Sequence, residues 1–317
     1  MSASKSDLPP LQLTDTRKSI SAVPMHEVEP SPVDDDAGLG SYPPVDVEKG
    51  TGYRGVTTTN FLGLTPSRTI HLLSAIQKYS TLPASLYLIL HYTNTALIPL
   101  ATRSVQKSDD LLLLTRPYYQ SFPLEPLLVF APIITHVVSS ISLRLYRRRQ
   151  IAKRHGAETY RDRRKIPWPK VSLTSALGYT LYPMFVGHVL VNRITPVKVE
   201  GNSSGVGLRY FAHGVARHPF VSNIGYATML SVASWHIVTG AAKFLKLSHE
   251  YVIESGDEGI RKRRRRSRIV NGIAAVVASL WIAGGLGVIG RGGQGVGWEA
   301  SNWDGIYKSV PVVGAWW

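Results

Sequence analysis

The chain has no cysteine. That one absence removes disulfide frameworks, cysteine-ligated zinc, iron–sulfur clusters and thiol catalysis. Charge is scarce as well: 18% of the 317 residues, where about a quarter is usual for a soluble domain. The shortfall lies on the acidic side, with 21 Asp and Glu against 36 Lys and Arg and a net charge of +15. Such a balance points to nucleic acid or an anionic membrane surface as partner. No hydrolase, kinase or metalloprotease constellation is present, so an enzyme is not expected. The glycines around 284–293 do not form a phosphate loop, because they close an apolar run instead of following a strand and opening a helix.

What the sequence does contain is long apolar runs. Five of them, 81–101, 122–143, 171–192, 219–242 and 269–290, reach the roughly 20 residues needed to cross a ~30 Å hydrocarbon core, and Glu125 is their one formal charge. None alternates with period two, which argues against a membrane β-barrel, and none has the polar face of a surface helix. The expected class is an all-α membrane protein with five transmembrane helices. Basic residues set the orientation. The segments 1–80, 144–170 and 243–268 hold 27 of the 36 Lys and Arg, and the alternate connections hold 9. The N-terminus and the basic runs at 147–149 and 261–266 are therefore expected in the cytosol, against anionic headgroups and not nucleic acid. Trp168, Trp298, Trp303, Trp316 and Trp317 fall at or beyond run ends, where an aromatic interface belt belongs.

Residues 1–68 carry eight prolines and nine acidic residues against six basic ones. They match neither an Arg-rich presequence nor a secretory signal, and they read as a disordered cytosolic tail. The expected organisation follows the runs. After the tail come a two-helix unit at 69–143, a basic loop at 144–170, a second two-helix unit at 171–245, a basic loop with the fifth span at 246–290, and a Gly/Trp-rich C-terminal tail at 291–317.

The two units are a repeat. Thr81, His91 and Pro99 recur as Gly178, His188 and Pro196 at a constant offset of 97, and Thr135-His136-Val137-Val138 recurs as Trp235-His236-Ile237-Val238 at an offset of 100. Each of the first four runs thus presents one histidine to a four-helix bundle, with the fifth span outside it. A histidine in the membrane needs a partner. His91, His136, His188 and His236 are either axial ligands of b-type haem or interhelical hydrogen-bonding glue, with Tyr87, Asn94 and Asn192 as neighbours. By depth along the sequence, His91 and His136 are expected nearer each other than His188 and His236.

Ser74-Ala75-Ile76-Gln77-Lys78-Tyr79-Ser80-Thr81 resembles the lead-in to the cytochrome b anchor subunit of succinate dehydrogenase. Gln77, Lys78 and Thr81 stand where that family has His, Arg and Gly, so its quinone chemistry is not carried over. Over residues 70–290 the chain looks like a fungal adapter family of the mitochondrial outer membrane. The resemblance rests on Gly178-Tyr179, on His188-Val189-Leu190-Val191-Asn192-Arg193-Ile194, on the second copy at His91, and on five spans behind a Pro-rich tail. It implies a multi-pass outer-membrane protein with a cytosolic N-terminus. Such a protein recruits the bridge-like, chorein-domain lipid-transfer protein of vacuolar protein sorting to mitochondria–vacuole contacts and supports lipid homeostasis. In that family a Pro-x-Pro motif docks the transfer protein, and Val28, Pro30, Pro32 and Val33 match it here. Two prolines narrow the free ensemble while the valines supply apolar anchors. Leu8-Pro9-Pro10-Leu11 is the alternative. Lipid scrambling through His91, Asn94, Thr95, His188 and Asn192 would extend this role. The competing expectation is a haem b redox protein.

Overall fold

The computed structural model describes residues 63–157 and 159–317, and every regular element among them is helical. The tail motif Val28–Val33 and the alternative at 8–11 lie outside the described residues. The first helix, α1 (Pro66–Tyr79), opens inside the stretch expected to be disordered up to 68. Pro66 occupies the first turn, where its missing N–H costs nothing, and the Thr65 hydroxyl accepts the N–H of Arg68. Helix α2 (Thr81–Tyr92) then runs through a π turn, Thr93–Leu97, into α3 (Ile98–Thr102). Helices α4 (Val105–Thr115) and α5 (Pro117–Gln120) connect to a second π turn, Pro126–Phe130, that leads into α6 (Ala131–Arg154). After the short α7 (Tyr160–Lys165) comes α8 (Leu173–Val189), whose π turn Leu190–Ile194 continues as α9 (Thr195–Glu200). The remaining helices are α10 (Leu208–Arg217), α11 (Pro219–Phe244), α12 (Gly256–Gly285) and α13 (Gly297–Lys308).

The three π turns share a cause. In each, the residue after the turn donates its N–H five residues back, as Ile98 does to Thr93, Ala131 to Pro126 and Thr195 to Leu190. The next residue in each case is proline: Pro99, Pro132 and Pro196. A proline ring collides with the carbonyl four residues back and offers it no N–H, and a widened turn moves that carbonyl away. Residue 232, at the offset of 100 from Pro132, is valine, and α11 runs 26 residues without interruption. Pro183 is tolerated inside α8 with no π turn, so proline alone does not dictate one.

Two continuous stretches, Pro126–Arg154 and Gly256–Arg291, are long and apolar enough to cross a membrane, where five spans were expected. The other three runs are helical but diluted by Thr, Ser, Tyr, Asn and Gly, so their membrane crossing belongs to the proposal below. Only 17% of the most apolar window of the first stretch and 33% of the second is buried within the protein. Leu86, Ile89, Leu127, Ile134, Ile273 and Val276 are all exposed. Contiguous apolar surface of this extent is what lipid-facing helices present, and the chain is a membrane protein with transmembrane helices.

The well-packed core sits at one end of the bundle, where the connections poor in Lys and Arg converge. Val206, Tyr210, Trp303, Ile306 and Tyr307 form one cluster, and Leu112, Leu208, Ala212 and Ile289 form another. The C-terminal stretch expected to be a tail therefore carries a folded helix, α13. Trp303 is 4% exposed and donates to the carbonyl of Gly205 at 3.1 Å. Trp317 stacks on Tyr307 at 4.0 Å and donates to Asp304 at 2.8 Å. These two tryptophans are cap residues and not the belt residues expected, whereas Trp168, Trp298 and Trp316 are exposed.

Candidate functional site: paired histidines in a duplicated bundle

The repeat is visible in the backbone. Both copies place a π turn at the same register, Thr93–Leu97 and Leu190–Ile194, an offset of 97. Both hold the histidine of their second helix in the same way. His136 Nδ1 lies 3.0 Å from the carbonyl of Gln77, and His236 Nδ1 lies 3.0 Å from that of Thr174. Gln77 and Thr174 are themselves 97 apart. Even the hydroxyl beyond each histidine repeats: Ser139 donates to the carbonyl of Thr135 at 2.7 Å, and Thr239 to that of Trp235 at 2.6 Å.

The histidines pair between the repeats. His91 and His188 have ring centres 6.1 Å apart, and His136 and His236 have theirs 6.4 Å apart. Depth along the sequence weighs only the spacings within a repeat, His91–His136 against His188–His236, and does not anticipate this pairing between repeats. In each copy the first-helix histidine lies fourteen residues beyond the carbonyl that marks the level of the second-helix histidine. At 1.5 Å per residue the two levels are separated by about 21 Å. Duplicated helices meet their own copies, so equivalent side chains come together.

The pairs have different surroundings. Around His91 and His188 the space is filled. Tyr87 stacks on His91 at 5.4 Å, Trp281 of α12 stands 6.1 Å from it, and Tyr226 stands 6.0 Å from His188. Asn192 reaches the carbonyl of His188 at 2.8 Å, its ring Nδ1 at 3.3 Å and the Tyr226 hydroxyl at 3.4 Å. The Trp281 indole donates to Thr95 at 2.9 Å, and the Thr95 hydroxyl donates to the carbonyl of His91. Asn94 is buried and donates to Thr115 at 2.8 Å. Asn94, Thr95 and Asn192, named as a lipid path, are thus each engaged in hydrogen bonds inside the protein. Around His136 and His236, by contrast, each Nδ1 sits on its carbonyl, neither Nε2 has a hydrogen-bond partner among the described residues, and no further aromatic ring packs on the pair among them. Gly178 lets the His236 ring rest against α8, since a Cβ there would meet the ring at 2.9 Å.

Two polar networks close the bundle at the cap end. Glu125, the one charge inside the apolar runs, receives both arms of the Arg193 guanidinium, one at 2.6 Å. Asp304 accepts from Arg217 at 2.5 Å, from His213 at 3.0 Å and from Trp317. Burial pushes its carboxyl up, but these three hydrogen bonds prevail and hold it well below the usual carboxylate range. Burial raises Asp109, which caps the N–H of Leu208 at 2.7 Å, and desolvation raises the Tyr210 and Tyr307 hydroxyls. Sequence reasoning missed the Asp304 network; its only signal was an Asp flanked by tryptophans in a stretch rich in glycine. No group of three or more metal-ligating side chains occurs among the described residues.

No curated protein and no solved structure matches the chain, the succinate dehydrogenase anchor included. Residues 183–294, from the middle of α8 through α11 and α12 to the glycine-rich exit, match the family model described as MDM10-complementing protein 1, transmembrane domain.

Proposed function

We propose that the chain is a five-span adapter of the mitochondrial outer membrane. Its duplicated bundle anchors a cytosolic tail, and the tail recruits a chorein-domain lipid-transfer protein to mitochondria–vacuole contacts. The observation that carries this reading is the match of residues 183–294 to the transmembrane domain of MDM10-complementing protein 1. It is supported by the exposed apolar helix faces and by the concentration of Lys and Arg in the segments opposite the folded cap. The bundle does no chemistry in this role; it fixes the tail at a surface, so that a modest motif gains effective concentration there. Two prolines, Pro30 and Pro32, reduce the conformational entropy that docking has to remove. Glu27, Glu29 and Asp34 to Asp36 favour a basic groove on the partner.

Imaging of the fluorescent lipid-transfer protein in fungal cells overproducing the chain tests this. Relocation to mitochondria with the native tail, lost in the Pro30→Ala/Pro32→Ala double variant, is the expected result. Relocation with both moves the docking site, with Pro9-Pro10 next in line. No relocation with either ends the adapter reading. Scrambling by the bundle is a weaker extension, since Asn94, Thr95 and Asn192 would have to break their hydrogen bonds with Thr115, Trp281 and Tyr226 to pass a headgroup. A liposome dithionite assay with no scrambling above empty vesicles removes it.

A further inference from the structure

We infer that His136 and His236 are the two axial ligands of one haem b held between the repeats. This assignment is independent of the adapter reading.

Both imidazoles are prepared in the same way. A backbone carbonyl, Gln77 for one and Thr174 for the other, sits 3.0 Å from Nδ1. A carbonyl can only accept, so each Nδ1 carries the proton and each Nε2 presents a lone pair. Holding the far nitrogen on a carbonyl is how proteins fix the tautomer and orientation of a metal-binding histidine. The spacing agrees. A ligating imidazole nitrogen lies about 2.0 Å from its metal and roughly 1.1 Å from its own ring centre, so two imidazoles on one iron have centres about 6.2 Å apart. The observed separation is 6.4 Å, with the ring planes at 73°. The two rings meet from opposite repeats, and each is half-buried.

The requirements of the macrocycle are also present. It is apolar and needs a site in a bundle core, with ligands from facing helices, while its propionates need cations. Lys78 follows Gln77 directly, and its ammonium lies 4.7 Å over the Phe244 ring, where α1 meets α11. It makes no ion pair with a carboxylate among the described residues. A half-buried cation in this position is suited to a propionate. A metal ion alone is disfavoured, because no third His, Asp or Glu joins the pair among the described residues. His91 and His188 have a similar spacing, but Tyr87, Trp281, Tyr226 and Asn192 occupy their surroundings. One haem is therefore assigned, not two.

The test is the absorption spectrum of the full-length chain purified in detergent, with a pyridine haemochrome assay for stoichiometry. Preparations that emerge colourless are titrated with hemin. One haem b per chain is expected, six-coordinate in both oxidation states, absent in His136→Ala and in His236→Ala, and kept in His91→Ala and His188→Ala. Because a histidine-to-alanine variant can fail to fold, His236→Met is included. It retains a ligand, and its spectrum shifts to that of a His/Met iron if His236 binds the metal. A colourless full-length chain that binds no hemin overturns the proposal. So does haem that survives loss of either histidine, an unchanged spectrum in His236→Met, or zinc bound in place of haem.

Discussion

At equivalent positions of the two π turns stand Ala96 and Arg193, and they do opposite work. Ala96 is fully buried, and α12 packs against it through Gly284, where a Cβ would lie 2.2 Å from the Ala96 carbonyl. Arg193 instead projects a guanidinium across to Glu125 of the other repeat. One copy of the turn seats the fifth helix, and the other ties the two repeats together. The same divergence appears one position on. Thr95 takes a hydrogen bond from Trp281, while its counterpart Asn192 reaches Tyr226 within its own repeat. Duplication supplied two identical backbone bends, each placed by a proline. The side chains on them then specialised: α12 rests on the first π turn, whereas it meets the second repeat through α11, where Trp235 donates to Asn271.

The comparison breaks most severely at the ion pair. Arg193→Ala leaves Glu125, 14% exposed, as a charge without its partner. Removal of one member of such a pair costs about 3 kcal/mol. Thermal unfolding in detergent is expected to show that loss, with part of it recovered in the Arg193→Ala/Glu125→Gln double variant. At the other π turn, Gly284→Ala forces α12 away from Ala96 and is expected to cost about 2 kcal/mol. Gly272→Ala, on the same helix with open space around it, is expected to be neutral or to stabilise by roughly 0.5 kcal/mol. Equal melting temperatures for the two glycine variants would refute the seating of α12.

Much of this was legible in the sequence. The apolar runs, the offset of 97 and the four histidines were readable because hydropathy and recurrent His and Pro survive as local signals. The π turns were not legible, since Pro99, Pro132 and Pro196 follow one whereas Pro183 sits in an unbroken helix. The pairing of histidines between repeats was not legible, since depth along a chain does not say which helices face each other. The cap was hidden for a different reason. Residues 291–317 read as a Gly/Trp-rich tail, and Trp303 and Trp317 read as lipid-interface residues, because nothing local distinguishes an indole buried on Tyr210 and Tyr307 from one in a headgroup layer. The tail motif at 28–33 belongs to the part of the chain that the structure does not describe.

Two smaller effects sharpen the comparison. Trp281→Phe keeps the ring against His91 and removes only the indole N–H to Thr95, a loss of about 1 kcal/mol. The equivalent change in the second repeat, Tyr226→Phe, removes the Asn192 contact and is expected to cost less, because Asn192 keeps its bond to the His188 carbonyl. The cap gives the smallest effect and a pH signature. Asp304 is held below its unfolded value, so its contribution is complete above about pH 4 and is lost as pH falls below that. Melting temperature measured from pH 6 to pH 3 is expected to fall less in Asp304→Asn than in the parent chain.

The absence of cysteine makes the pairing between repeats directly measurable. Double-cysteine variants at 91/188, 136/236, 91/136 and 188/236, treated in membranes with a short bifunctional thiol reagent and resolved on gels, report which positions meet. Cross-links at 91/188 and 136/236 alone are the result predicted by ring centres 6.1 and 6.4 Å apart. Cross-links within a repeat, at 91/136 or 188/236, would contradict the duplicated bundle described here.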